Sequence, residues 1–140
     1  MVDVQKRTDA HNRPAGSSLK ILIVDDDPDM RAYVRQCLGF LADRIAEVME
    51  ADDGMEALSL ARRVKLDLVI TDVIMPRLDG YELSRMLKKL PTAIPIKVLV
   101  ISGQTDASRE QLAGIDAFLD KPFNAERLKG CLDDLLSHSA

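Results

Sequence analysis

The chain has 140 residues and a net charge of −4, and 46% of its residues are apolar. This length suits one domain, and the apolar share is sufficient for a core of aliphatic side chains. The acidic balance argues against a nucleic-acid surface, and no apolar run approaches the ~20 residues of a membrane span. Because no secretory signal opens the sequence, we expect a cytoplasmic protein that binds neither nucleic acid nor membrane.

The polar N-terminal segment differs in composition from the rest of the chain. Residues 1–18 lack an apolar core pattern and end in a stretch rich in Pro, Gly and Ser. Such a composition is typical of a disordered tail. We therefore expect a tail over residues 1–18 and one folded domain over residues 19–138.

Strand and helix patterns alternate along the folded domain. Short apolar runs predict strands over residues 19–24, 47–51, 66–71, 96–101 and 117–119. Capping side chains or helical stripes predict helices that begin at Asp27-Pro28, Asp53-Gly54, Asp79, Asp106 and Asn124. The first helical stripe consists of Met30, Val34, Leu38 and Leu41. Five repeated βα units predict an α/β fold with a parallel sheet, right-handed crossovers and helices on both faces.

Polar side chains follow four of the predicted strands. Asp25 and Asp26 come after the first strand, Asp72 after the third, Ser102 after the fourth and Lys121 after the fifth. Ligands of parallel sheets bind at this carboxyl end of the strands. Clustered carboxylates repel one another unless a cation neutralises them, and oxygen ligands favour Mg²⁺. A carboxylate can also act as a nucleophile and form an acyl phosphate. The negative phosphoryl oxygens then need stabilisation, and Mg²⁺, Lys121 and the Ser102 hydroxyl could each serve one of them.

Four segments of the chain resemble the response-regulator receiver family. They are ILIVDDDPDMR, LVITDVIMPRLDGYEL, VLVISG and DAFLDKPF, and the resemblance extends from residue 19 to about residue 137. It implies a CheY-like, flavodoxin-like (βα)5 fold whose five parallel strands lie in the order 2-1-3-4-5. It also implies a domain of a two-component or phosphorelay system, which catalyses only its own phosphorylation and dephosphorylation.

The resemblance implies a role for each residue of the phosphorylation site. Asp72 corresponds to the phosphorylated aspartate, and Lys121 to the lysine that pairs first with this carboxylate and then with the phosphoryl group. Asp26 corresponds to a direct Mg²⁺ ligand, and Asp25 to a neighbour that acts largely through water. The main-chain carbonyl of Ile74 corresponds to the third protein ligand of the metal.

Two further positions correspond to the switch of the family. Ser102 takes the place of its Ser/Thr residue and Phe118 that of its aromatic residue, although the pattern around Phe118 also fits a plain core position. The Lys121-Pro122 bond corresponds to one that is usually cis. The expected partners are a sensor histidine kinase or histidine phosphotransfer protein, which donates the phosphoryl group, and an unidentified downstream protein.

The last helix departs from receivers that dimerise. Many DNA-binding members carry K-P-F-x-x-x-E-L-x-A-R there, whereas this chain has Arg127 in place of the Glu and Cys131 in place of the Arg. A two-fold dimer brings the same face of both subunits together, so the charges on that face must pair with one another. The two replacements remove these charge pairs. We expect a monomer and, because the sequence ends soon after this helix, a stand-alone receiver.

Two other functions stay open at this level. Asp25-x-Asp27 matches the start of the motif of haloacid-dehalogenase-type phosphohydrolases. Two residues later, however, these enzymes typically have Thr or Val where this chain has Asp29, and Asp72 would have no role. A receiver-like binding module that works without phosphorylation is the second alternative. Such modules usually lack the nucleophile, an acidic residue or the lysine, and this sequence retains all of them.

Overall fold

The computed structural model describes residues 18–103 and 114–137. The strands are β1 (Leu19–Val24), β2 (Ile45–Ala51), β3 (Leu68–Asp72), β4 (Lys97–Ser102) and β5 (Ala117–Asp120). The helices are α1 (Pro28–Cys37), α2 (Gly54–Arg63), α3 (Gly80–Lys88) and α4 (Ala125–Ser137), and a 3₁₀ segment spans Leu38–Arg44. The tail predicted over residues 1–18 and the helix predicted to begin at Asp106 lie, apart from Ser18, outside the described residues.

The strands form one parallel sheet in the order β2-β1-β3-β4-β5. This order, 2-1-3-4-5, confirms the flavodoxin-like architecture. The chain begins in an inner strand, crosses to the β2 edge, and then returns past β1 to build β3, β4 and β5. The reversal occurs at β1 and β3, so their carboxyl ends border the crevice where such folds bind ligands.

The helices begin where the capping residues predicted. Asp27, Asp53 and Asp79 each accept a hydrogen bond from a main-chain N–H in the first turn of α1, α2 and α3. Asp79 and Glu82 form a reciprocal capping box. Asn124 accepts a hydrogen bond of 2.9 Å from the N–H of Arg127 and starts α4 in the same way.

Several boundaries differ from the sequence prediction; β3, for example, begins at Leu68 and not at residue 66. The α-helical part of the first stripe ends at Cys37, and Leu38 and Leu41 lie in the 3₁₀ segment instead. Gly39 is a poor helix residue and follows this break directly, while Leu38 and Leu41 remain buried. Strand β2 begins at Ile45, two residues earlier than predicted, because Ile45 pairs with Leu19 of β1.

Two apolar layers cover the sheet. On one face, side chains from α1 and α4 pack against Ile21 and Ile23, and on the other, side chains from α2 and α3 pack against Leu22 and Val24. Alternate residues of β1 therefore serve opposite layers, as the period of a strand requires. Within the described ranges, every helix is too short or too polar to cross a bilayer.

Candidate functional site

Strands β1 and β3 bring three carboxylates together. Val24 pairs with Thr71 in the parallel register, so the next residues, Asp25 just after β1 and Asp72 at the end of β3, lie at the same level. One carboxylate oxygen from each of Asp25, Asp26 and Asp72 lies within 4.8 Å of the others. Asp25 is buried, Asp72 is half-buried and Asp26 is exposed. The cluster therefore forms a pocket floor with one side open to solvent.

Strands β4 and β5 bring a hydroxyl and an ammonium group to the same edge. Ser102 pairs with Asp120 in the register, and the N–H of Lys121 donates to the carbonyl of Ser102 at 2.9 Å. The Lys121 ammonium lies 3.3 Å from Oδ1 of Asp72 and forms an ion pair with it. Ser102 is buried, with an exposed fraction of 2%. The Lys121-Pro122 peptide bond is cis, as expected.

The main chain around Asp72 is closely packed. Oδ1 of Asp72 also accepts a hydrogen bond of 2.8 Å from the N–H of Val73, and the carbonyl of Val73 accepts one of 2.8 Å from Gly80. A Cβ atom at Gly80 would lie 2.2 Å from the carbonyl oxygen of Asp72. Only glycine therefore lets α3 begin this close to the strand end.

Burial and neighbouring charges both act on the carboxyl group of Asp25. Burial, and after it the negative charges of Asp72 and Asp26, raise the pKa of Asp25 from 3.8 to about 6. A hydrogen bond from the N–H of Asp27 and the charge of Lys121 lower this pKa but do not offset the increase. The charged form of Asp25 is therefore disfavoured, chiefly by burial and in addition by its two acidic neighbours.

The donor set of the cluster suits a hard divalent cation. Its three converging side chains all offer oxygen, and a cation beside them would stabilise the charged form of Asp25, which burial and the neighbouring carboxylates disfavour. Mg²⁺ needs few carboxylates because it retains several waters, and the exposure of Asp26 leaves room for them. The residues present therefore fit the metal that the sequence predicted.

The remaining predicted positions surround this cluster. The Ile74 side chain is 64% exposed, two residues beyond Asp72 in the β3–α3 connection. Phe118 lies in β5 and is half-buried against the α2–α3 layer. Asp27 caps α1, as predicted, and its side chain accepts from the N–H of Asp29 at 2.9 Å.

Sequence reasoning missed two arginines close to the site. Arg31 in α1 donates through Nη1 to the carbonyl of Asp25 at 2.7 Å. Arg77, in the connection after Asp72, has a φ of 72° and pairs with the capping carboxylate of Asp53. Neither contact follows from a motif or a periodic pattern, because each joins residues that are brought together by the fold.

A comparison with protein families decides the identity. The model of the response regulator receiver domain matches residues 21–133, which is most of the described fold. The chain belongs to the response regulator receiver family. Receiver domains are signalling proteins of two-component systems rather than enzymes that release a product.

Curated relatives of this receiver domain are longer proteins. The response regulator MprA of Mycobacterium leprae (strain TN) is 39% identical over 122 residues, which cover 84% of this chain and 51% of that protein. MprA of Mycobacterium sp. (strain KMS) is 39% identical over 126 residues, 87% of this chain and 52% of that protein. The chain thus spans about half the length of these relatives, so its stand-alone organisation stays a prediction.

Solved receiver structures share the fold over nearly their whole length. The chemotaxis response regulator CheY4 of Vibrio cholerae has a TM-score of 0.75 and 31% identity, covering 85% of this chain and 99% of that one. The receiver domain of the sensor histidine kinase PA1611 of Pseudomonas aeruginosa PAO1 has a TM-score of 0.75 and 25% identity, covering 86% and 99%. That structure holds a magnesium ion coordinated in its active site cleft.

Proposed function

We propose that this receiver domain accepts a phosphoryl group on Asp72 in a Mg²⁺-dependent reaction. The donor is a phosphohistidine of a sensor histidine kinase or a histidine phosphotransfer protein. The observation that carries the proposal is the convergence of Asp25, Asp26 and Asp72 within 4.8 Å, with the Lys121 ammonium 3.3 Å from the Asp72 carboxylate. This set supplies a nucleophile, a metal site and a fixed cation at one strand end.

The transfer exchanges one bond to phosphorus for another. A carboxylate oxygen of Asp72 attacks the phosphorus atom, the P–N bond to the histidine breaks, and the imidazole nitrogen retains the bonding electron pair and takes a proton from solvent. Lys121 already pairs with Asp72. Its charge then offsets the extra negative charge that the phosphoryl group brings, which lowers the free energy of the product.

Three groups of this chain would hold Mg²⁺ next to the acceptor. They are Asp26 as a direct ligand, Asp25 largely through water, and the main-chain carbonyl of Ile74, with Asp72 itself completing the set. When bound, the metal supplies positive charge to a phosphoryl oxygen. The raised pKa of Asp25, which burial and then the charges of Asp72 and Asp26 cause, is in keeping with this assignment, because a cation would stabilise the charged carboxylate.

Ser102 and Phe118 are the proposed switch. The buried hydroxyl of Ser102 lies on the strand beside β5, which carries Phe118 half-buried. A hydrogen bond from this hydroxyl to the phosphoryl group would favour a conformation with Phe118 turned inward, which shifts a pre-existing equilibrium. The shifted surface would then bind an unidentified downstream protein. We propose that residues 19–138 suffice for this cycle and that the domain acts as a cytoplasmic monomer.

Labelling with a small phosphodonor tests the proposal. Acetyl phosphate with Mg²⁺ should add one acid-labile phosphoryl group, seen as +80 Da by mass spectrometry (about the mass of HPO₃, by the chemistry of a single transfer). Asp72→Asn should abolish this addition and EDTA should prevent it. Asp52→Asn is the matched control, since Asp52 is an exposed acid after β2 at the same end of the sheet. Undiminished labelling of Asp72→Asn would refute the assignment.

A further inference from the structure

Asp25, Asp26 and Asp27 form an acidic loop between β1 and α1, and an arginine of α1 holds the main chain of this loop. Arg31 donates through Nη1 to the carbonyl oxygen of Asp25 at 2.7 Å and through Nε to Oε1 of Glu50 at 2.8 Å. Its side chain is only 18% exposed. The guanidinium therefore bridges the loop that carries the metal-site carboxylates to strand β2.

Glu50 fixes the orientation of this guanidinium. Its second carboxylate oxygen pairs with Arg35 at 2.8 Å, so the carboxylate is held from both sides. The two arginines keep the pKa of Glu50 below its usual range, chiefly through hydrogen bonds from Arg31 and then Arg35. Glu50 is therefore charged at neutral pH. Its bond to Nε orients the planar guanidinium of Arg31 so that Nη1 points at the Asp25 carbonyl.

The bond to the Asp25 carbonyl fixes one particular peptide group. The N–H of Asp25 already donates to the carbonyl of Ala51 at 3.1 Å, so the chain entering Asp25 is fixed by β2. Its carbonyl belongs to the peptide plane shared with Asp26. The orientation of this carbonyl thus sets the positions of the main-chain N and Cα atoms of Asp26, from which its side chain starts.

Asp26 depends on this peptide more than its neighbour does. The carboxylate of Asp25 is held by the N–H of Asp27 at 2.9 Å. Between residues 18 and 103 and between 114 and 137, by contrast, the exposed side chain of Asp26 makes no hydrogen bond or ion pair. Its backbone is the part of this residue that the surrounding fold can hold in place.

We infer that Arg31 is a positioning residue, oriented by Glu50, which sets the Asp25–Asp26 peptide so that Asp26 can ligate the divalent cation. The inference rests on the proposed function, because it assigns this task at the same metal site. It predicts that Arg31 acts through hydrogen-bond geometry. The charge of Arg31 is already balanced by Glu50 and serves mainly to strengthen the two bonds.

Mg²⁺ titration of the full chain, followed through backbone amide shifts by NMR, tests the role. Arg31→Gln should weaken Mg²⁺ binding by about tenfold, the lower end of the range for outer-shell partners of metal ligands. Arg31→Lys should also weaken it, by roughly threefold or more, because the single nitrogen of an ammonium cannot take the positions of both Nε and Nη1. In the metal-free protein, both variants should shift the amide resonance of Asp26.

Arg35→Gln is the matched control. Arg35 pairs with the same carboxylate of Glu50 but contacts the carbonyl of Val48 and no residue of the acidic loop. The Mg²⁺ affinity of the Arg35→Gln protein should remain within about twofold of wild type, a change of under ~0.5 kcal/mol. Glu50→Gln should weaken binding, and combining it with Arg31→Gln should add little, because Glu50 acts through Arg31.

The outcomes separate this inference from the proposed function. Folded Arg31→Lys protein that binds Mg²⁺ as tightly as wild type would overturn the positioning role, as would equal losses in the Arg31→Gln and Arg35→Gln proteins. A wild-type protein without any Mg²⁺ response would overturn both the positioning role and the metal site. Urea unfolding in EDTA confirms that each variant is folded, so that lost binding reports the loop and not the whole domain.

Discussion

Replacing Asp25 by Asn should make the metal-free protein more stable at neutral pH. Burial and the charges of Asp72 and Asp26 raise the pKa of this carboxyl from 3.8 to about 6, so at pH 7 the folded protein carries a charge that its surroundings disfavour. An amide has the same shape and retains an oxygen that can accept the 2.9 Å hydrogen bond from the N–H of Asp27. The substitution therefore removes the buried charge, and with it the repulsion from Asp72 and Asp26, with little change in packing.

The size of the effect follows from the pKa difference of Asp25. Between 3.8 and about 6, the folded protein holds a proton that the unfolded chain has released, so wild-type stability falls as pH rises through this window. At ~1.4 kcal/mol per pH unit, the full loss is about 3 kcal/mol. Burying the amide itself offsets ~1 kcal/mol or more of this gain. We expect Asp25→Asn to be more stable by about 1–3 kcal/mol at pH 8 and by much less at pH 4.

Urea unfolding in EDTA, followed by far-UV circular dichroism between pH 4 and pH 8, measures this difference. Circular dichroism suits the chain because it has no Trp. Arg31 and Arg35 lower the pKa of Glu50, whose contribution to stability is lost as pH falls. This acid-side loss occurs in wild type and variant alike, so it cancels in their difference. Asp52→Asn, an exposed acid after β2, should show no such pH-dependent gain.

Two results would refute the reasoning about Asp25. One is an Asp25→Asn protein that is less stable than wild type at pH 8 in EDTA. The other is a stability difference that stays constant from pH 4 to pH 8, because a constant difference would reflect packing and not ionisation. Saturating Mg²⁺ should reduce or reverse the advantage of the variant, since a cation that binds the folded state stabilises wild type more.

Three further predictions concern glycines, the switch and association. In the urea assay, Gly80→Ala should lower the free energy of unfolding by ~2 kcal/mol or more, because its Cβ would clash with the Asp72 carbonyl. Gly130→Ala should raise it by about 0.5–1 kcal/mol, because Gly130 lies in α4 with open space around it. Ser102→Ala should still be phosphorylated by acetyl phosphate, but NMR shifts at Phe118 on beryllofluoride addition should shrink; full-sized shifts would argue against the switch. Light scattering with beryllofluoride should find no dimer, and an activated dimer weakened by Arg127→Glu would contradict this.

Local patterns predicted most of the elements because their causes are local. The caps at Asp27, Asp53 and Asp79 depend on a side chain reaching a main-chain N–H two or three residues ahead. Apolar runs predicted β1, β3 and β4 most directly, because strands buried on both faces need nearly continuous apolar sequence. The break of the first helix after Cys37 was missed because the buried stripe continues through Leu38 and Leu41 although the backbone has become 3₁₀.

The strand order and the residues of the site came from a different source. Periodicity predicts five βα units, but it cannot rank their order in the sheet, and the order 2-1-3-4-5 rested on resemblance to receivers. Once this order is known, the ends of β1 and β3 must be neighbours, and Asp25 and Asp72 must lie together. The sequence thus predicted which residue types meet, while the register determined how closely they approach.

By itself, the sequence determined the apolar layers, the helix starts and the set of acidic, hydroxyl and ammonium groups at the strand ends. Only the tertiary structure decided the raised pKa of Asp25, the pairing of Arg77 with Asp53, and the bridge from Arg31 to Glu50 and the Asp25 carbonyl. The physical reason is distance along the chain. Arg31 and Glu50 are 19 positions apart, and burial, charge and hydrogen bonding between such groups exist only after the sheet has set their separation.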